Sequence, residues 1–222
     1  SEVFDNLLYA SEKNRMMRYV IKRSAQSVVQ LQDDDKTQVI ECTEESLQQF
    51  CDMFVAEMQD RRSIYMDYCK ENHLHPGALR SALEAHTYLA EETEPVLLLI
   101  ERFTDFLKAL GDAGEIVMES IFKLAKRCNV YILAGFLPGD AIQLEGNSVY
   151  EQLVKEQVVL LFGGRYDKQG LITPLPPEIY NVKKEIQYNQ FVMKYNGSLY
   201  SLQMPCGKLK SKYIHEDDKP II

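Results

Sequence analysis

The sequence predicts an α/β fold with a mostly parallel sheet, helices on both faces and a C-terminal antiparallel hairpin, and three observations carry that prediction. Five consecutive apolar residues, Val96–Ile100, run straight into Glu101, with helical patterns on either side. Such a run suits a central parallel strand buried on both faces that delivers its acid to the carboxyl edge of the sheet, where ligands bind in open α/β folds. Strand-like and helical stretches then alternate along the chain. Near the end, Gln190–Tyr195 and Ser198–Met204 flank Asn196-Gly197, the strongest short-range hairpin signal.

In chain order, Leu7-Leu8-Tyr9-Ala10 reads as a strand, followed by the polar Ser11-Glu12-Lys13-Asn14-Arg15 and a helix through Met16, Met17, Tyr19, Val20 and Ile21. Strand, loop, helix is the layout of a phosphate loop. That loop needs glycines so that backbone N–H groups can wrap phosphate, and no glycine lies between Leu7 and Arg23. Val28–Leu31 and Gln38–Cys42 read as short strands around the acidic turn Asp33-Asp34-Asp35, which lacks the glycine and the bidentate glutamate of a calcium loop.

From Thr43, an N-cap, apolar residues recur at Leu47, Phe50, Cys51, Phe54, Met58, Tyr65 and Tyr68, one stripe of a helix about 25 residues long. Glu57, Asp60, Arg61 and Arg62 are assigned to its charged face. Pro76-Gly77 breaks the chain and Ala78–Ala90 resumes as helix. His73, His75 and His86 near the break lack a Cys or acid at ligand spacing, so no metal site is expected. After the central stretch come a Gly111/Gly114 loop, a helix Glu115–Arg127, a buried strand Val130–Phe136, a helix Val149–Glu156 and a strand Val158–Phe162. Leu171–Pro177 is an extended, proline-containing connection, and 208–222 a polar tail.

The bulk numbers bound the function. The chain of 222 residues is 45% hydrophobic and 26% charged, with no linker-like stretch, and reads as one soluble domain. A net charge of −8 argues against a phosphate-backbone binder, so no nucleic acid partner is expected, and Lys208, Lys210 and Lys212 read as a solvated cluster. The longest apolar runs fall far short of the roughly 18 residues of a spanning helix, and no signal peptide is present. Five cysteines without C-x-x-C spacing read as reduced thiols in a cytosolic setting, with Cys51 and Cys69 in the core.

Three motifs carry a resemblance. Val96-Leu97-Leu98-Leu99-Ile100-Glu101-Arg102-Phe103-Thr104-Asp105-Phe106-Leu107 resembles the Walker B segment of FtsK/SpoIIIE-type ATPases, where an apolar run leads into Asp-Glu-Phe-Ala-Asp-Leu. Leu124-Ala125-Lys126-Arg127, with Tyr131-Ile132-Leu133-Ala134-Gly135-Phe136-Leu137-Pro138, is similar to that family's Leu-Ala-Gln-Arg helix and its strand ending in Thr-Gln-Arg-Pro. Glu57-Met58-Gln59-Asp60-Arg61-Arg62-Ser63-Ile64-Tyr65 looks like its Glu-Met-Glu-Arg-Arg-Tyr helix. The three stand in the family's order and span about half the chain. Within the family, Leu161-Phe162-Gly163-Gly164-Arg165 and the hairpin closing on Ser201-Leu202-Gln203-Met204-Pro205 resemble the last ATPase domain of the EssC-type coupling protein of type VII secretion.

The resemblance implies a three-layer RecA/ASCE-like P-loop NTPase fold and a cytoplasmic domain of a membrane-anchored, multidomain protein. It implies neighbouring ATPase domains in the same chain, a homo-oligomeric full-length assembly, and secreted helical WXG100-type substrates as partners. It also marks departures. The phosphate-loop position holds Ala10–Arg15, so Ser11, Glu12, Lys13, Asn14 and Arg15, with Glu101, are the nucleotide-binding candidates. The magnesium-orienting Asp is Glu101, the catalytic Glu is Arg102, which cannot act as a base, and the glutamine sensor position is Phe136. No catalytic residue, metal or bound cofactor is therefore expected, and the domain is read as recognising substrate and assembling rather than hydrolysing. The alternative is a weakly active ATPase binding Mg·ATP through Lys13 and Glu101. An unrelated α/β protein is the third reading.

Overall fold

The structure, a computed structural model, describes residues 8, 11, 14–23, 34–140, 142–155, 159–162, 190–195 and 198–203. The chain divides into two compact units, one whose described residues end at Gly135 and one that begins at Phe136.

In the first unit, strand β1 (Met17–Lys22) is followed by β2 (Thr37–Glu41), α1 (Glu44–Glu71), α2 (Leu79–Glu92), β3 (Val96–Ile100), α3 (Phe103–Ala125), a 3-10 turn (Lys126–Cys128) and β4 (Val130–Ala134). The four strands pair in the order β2-β1-β3-β4, every pair parallel. All five side chains of β3 are buried, as an apolar run with neighbours on both sides requires. Leu97, Leu99 and Val20 pack with Leu8 on one face. On the other, Tyr19 meets Phe50 and Phe54 of α1, with ring centroids 5.9 and 5.3 Å away.

Two expectations are corrected here. Leu8 and Ser11 are helical, not part of a strand, and Met17–Lys22 is a strand, not a helix. Residues 16 to 21 are apolar almost throughout, so a helical stripe and a doubly buried strand give the same short pattern. Arg18 is the one charge in the run. It is buried, donates to Thr37 Oγ1 at 2.9 Å and lies 3.7 Å from Asp34, tying β1 to the turn that enters β2. Val28–Leu31 lies outside the described residues. β4 was expected to be buried, yet Tyr131 is 48% exposed, because β4 ends the row of described strands.

Helix α1 begins where expected, with Thr43 Oγ1 accepting from Ser46 N, and Glu44 and Glu45 favour its positive end. It stops at His73, whose φ of 53° and the Leu74 N to Cys69 O bond form a left-handed C-cap. His73 thus terminates a helix. Arg61 does not lie on the charged face. It is buried in the apolar stripe, pairs with Glu57 at 2.6 Å, and donates to Thr93 Oγ1, Cys128 O and Glu94 O at 3.2, 3.2 and 2.8 Å. One guanidinium thereby joins α1 to the end of α2, the entry of β3 and the turn before β4.

The loop expected at Gly111/Gly114 is instead a kink within α3, where Gly111 has φ 68° and ψ 173°. That region is open almost only to glycine.

In the second unit, α4 (Ser148–Lys155) precedes β5 (Val159–Phe162), β6 (Gln190–Tyr195) and β7 (Ser198–Gln203). The expected hairpin is present as β6–β7, and β5 joins it as an antiparallel third strand. Among the described residues no helix is long and apolar enough to cross a membrane.

Two substitutions test this framework by denaturant unfolding. Gly111→Ala meets no atom within 4 Å, so its cost is backbone strain alone, about 1–3 kcal/mol. Gly139→Ala, equally open and without the positive φ, serves as the near-neutral control. Arg61→Met orphans two backbone carbonyls and Glu57, with an expected loss of about 2–4 kcal/mol. A change below about 0.5 kcal/mol in either variant contradicts the role given to that residue.

Candidate functional site

The parallel register sets Ile21, Ile100 and Ala134 side by side, so the residues that follow them share the carboxyl edge. Glu101 N donates to Ile21 O at 2.9 Å, and Phe103 N donates to Gly135 O at 2.8 Å. The Glu101 side chain is only 7% exposed, and its Oε2 accepts from the backbone N–H of Arg23 at 2.9 Å. Above it, Arg23 Nε reaches Asp105 Oδ2 at 2.8 Å. Arg102 is half-buried and donates from Nε to Thr104 Oγ1 at 3.2 Å. The edge thus presents an acid already bonded to the neighbouring strand, flanked by two arginines.

Cys42 completes this edge, its N–H donating to Lys22 O at 3.1 Å. Burial first, and then the negative charge of Asp105, push its thiol from the usual 9.0 up to about 11, against the opposing effect of Arg23.

The residues expected to hold phosphate lie elsewhere. Ser11 is buried, with Oγ donating to Leu8 O at 2.7 Å, and Ser11 O accepts from Met16 N at 3.0 Å. Arg15 has φ 54° and, like Asn14, is exposed. Helical residues, a left-handed residue and a five-residue return bond mark the C-terminal end of a helix. Such an end presents carbonyls and partial negative charge, the wrong polarity for an anion. Met17 N donates to Pro95 O, so this turn borders the amino edge of the sheet, and the length of β3, about 17 Å at 3.3 Å per residue, separates it from Glu101. The structure therefore does not bring Ser11, Asn14 and Arg15 together with Glu101. Glu12 and Lys13 lie outside the described residues.

Phe136, at the expected sensor position, belongs to the second unit and meets Tyr150 edge-to-face at 5.6 Å. Among the described residues no group of His, Cys, Asp and Glu could hold a metal ion. Arg23 escaped the sequence reading because Met16–Ile21 read as a helix, which hid the fact that it follows a strand end beside Glu101; Cys42 was read only as a strand end and a reduced thiol.

No protein-family profile matches the chain, and no curated protein matches it by sequence. Solved structures do match in fold. The cytoplasmic domain of EssC superposes with a TM-score of 0.63 at 13% identity, over 92% of this chain and 38% of that one. EssC ATPases 2 and 3 from Geobacillus thermodenitrificans give 0.63 at 11% identity, over 90% and 36%. The pCW3 conjugation coupling protein TcpA, solved with ATPγS, gives 0.58 at 10% identity, over 91% and 55%. The chain has the fold of these ATPase domains and spans a minor to roughly half share of each of those longer chains, in accord with the FtsK/SpoIIIE-type resemblance in its motifs.

The Cys42 environment gives a direct test. At pH 8 a thiol with a pKa near 11 is ionised to about one part in a thousand. Site-mapped alkylation of the folded chain is expected to be slow at Cys42, and Asp105→Asn is expected to speed it. Because the folded thiol keeps a proton that the unfolded one gives up, this group's stabilisation is complete below pH 9.0 and is lost as pH rises toward 11. Rapid alkylation of Cys42 at pH 8 contradicts this half-buried placement beside Asp105.

Proposed function

We propose that this chain is an ATPase-fold domain of a type VII secretion motor that serves substrate recognition and assembly and does not hydrolyse nucleotide at its own sheet edge. The observation that carries the reading is the Glu101-Arg102 pair. Hydrolysis needs a carboxylate free to orient magnesium and water, and a base beside it. Here the only acid of the pair is buried and bonded to Arg23 N, and its neighbour is an arginine with no basic character.

Mg·ATP does not fit the described residues. Phosphate binding calls for a glycine-rich turn of N–H groups at a helix N-terminus. The turn that precedes β1 is a helix C-terminus at the opposite edge. At the position where a polar sensor would contact phosphate, Phe136 is engaged with Tyr150. No step of phosphoryl transfer is derived through this site.

The fold likeness to EssC ATPase domains supports the secretion context. In that context the domain sits in the cytoplasmic part of a membrane-anchored coupling protein, beside further ATPase domains of the same chain and within an oligomer. Its partners are secreted helical proteins of the WXG100 type. Arg102 is then a structural or inter-subunit charge rather than a catalytic group.

Calorimetric titration with Mg·ATP tests the non-hydrolytic half of this reading. The expected result is no saturable heat with Kd below about 1 mM, a binding free energy weaker than about −4 kcal/mol. Micromolar binding overturns it.

A further inference from the structure

We infer that the outer edge of β4 is a docking site for one more strand, an extended apolar segment that runs parallel to Val130–Ala134. The inference stands on the first unit alone and is independent of the reading above.

The ladder fixes which groups the edge offers. Gly135 N donates to Ile100 O at 2.9 Å, and Asn129 O accepts from Val96 N at 3.1 Å. In a parallel pair alternate residues turn both their N–H and their C=O toward the same neighbour. Asn129, Tyr131, Leu133 and Gly135 therefore face β3, and Val130, Ile132 and Ala134 direct their peptide groups outward. Among the described residues no strand receives them.

The side chains are those of an interior strand. Parallel sheets are covered on both faces and their strands are apolar throughout, whereas a permanent edge is guarded by charge, proline or a bulge. Val130-Tyr131-Ile132-Leu133-Ala134 carries no charge and no proline, and its register with β3 is unbroken. Ile132, Leu133 and Ala134 are only partly covered. β2, at the other end of the row, exposes Gln38 and Glu41. One end of the sheet is built as a border and the other is not.

The hand of the crossovers points to the same edge. α1 lies on the Tyr19 face of the sheet and packs against α3, so β2 reaches β3 and β3 reaches β4 over that face, both steps moving toward β4. Leu8 packs with Val20, Leu97 and Leu99 on the opposite face, and the helical turn it belongs to enters β1 from the amino edge. Parallel crossovers keep one hand in about 98% of cases. A crossover of that hand on the opposite face steps the opposite way, so a strand feeding the Leu8 turn approaches β1 from the β4 side. β3 already has both neighbours, which leaves the place beyond β4. The occupant is thus a parallel strand with the unbroken apolar run of a strand covered on both faces.

The test adds to the full chain a peptide with a five-residue valine-isoleucine run between lysines, spin-labelled at its C-terminus, and a counterpart with every amide of the run methylated. Without peptide, residue-resolved amide exchange is expected to be fast at Val130, Ile132 and Ala134 and slow at Tyr131 and Leu133. The peptide is expected to slow exchange at the three outward amides at least about tenfold, and its label to broaden Ala134 more than Val130, the mark of a parallel strand. The methylated counterpart is expected to do neither. Ile132→Pro removes an outward N–H and leaves the bonds to β3 in place. It is expected to weaken peptide binding about tenfold, while Ile132→Val binds as the parent chain does. Equal exchange along β4 without peptide, no slowing with it, broadening greatest at Val130, equal binding of the methylated peptide, or undiminished binding by Ile132→Pro overturns the proposal. So does a chain that dimerises through β4.

Discussion

Burying every side chain of Val96–Ile100 leaves the backbone of β3 no route to water, so its N–H and C=O groups must pair with strands on both sides. β1 and β4 supply those partners in parallel register. Once that register is set, the positions of Arg23, Glu101, Phe103 and Gly135 at one edge follow without further choice. The amino edge is fixed by the same strand, whose entry is held by Arg61 and by Asn129, which donates to Thr93 O. Sheet and edge are therefore one constraint seen at its two ends.

That constraint was legible in the sequence because five apolar residues between helical patterns have few other solutions. The same logic failed for β1. Met16–Ile21 is also short and apolar, and only its pairing with Thr37–Glu41 and Val96–Ile100 decides that it is a strand. The position of Arg61 was hidden for a related reason. Its neighbours Asp60 and Arg62 are exposed and charged, so composition assigned it to solvent, whereas its place in the 3.6-residue stripe, three after Met58 and four before Tyr65, assigns it to the core. Periodicity outranks charge when the buried ion has backbone carbonyls to receive it.

The site was half legible. Arg102 and Phe136 stand out from the resembled motif by residue type alone, and the structure adds what each touches. The nature of Ala10–Arg15 was not legible, because a polar stretch between two apolar ones looks the same whether a helix begins or ends there. The polarity of the helix decides whether the turn offers N–H donors or carbonyl acceptors. In this chain Ser11 O receives Met16 N and Arg15 takes the left-handed conformation, which makes the turn an acceptor end.

A hydrolytic edge is costly to keep, since a carboxylate held free for magnesium in a partly desolvated site forgoes the hydrogen bonds that would stabilise it. In this chain Glu101 accepts from Arg23 N, a charge-assisted bond of the class worth about 1.5–3 kcal/mol, and Arg23 is itself paired with Asp105. Phe136 likewise gains an aromatic contact of the kind worth about 0.5–1.5 kcal/mol where a polar sensor would gain nothing without nucleotide. At these two positions the residues that depart from the resembled motif thus make contacts that hold the fold. A fold that serves many functions leaves such edge positions open to residues that favour stability.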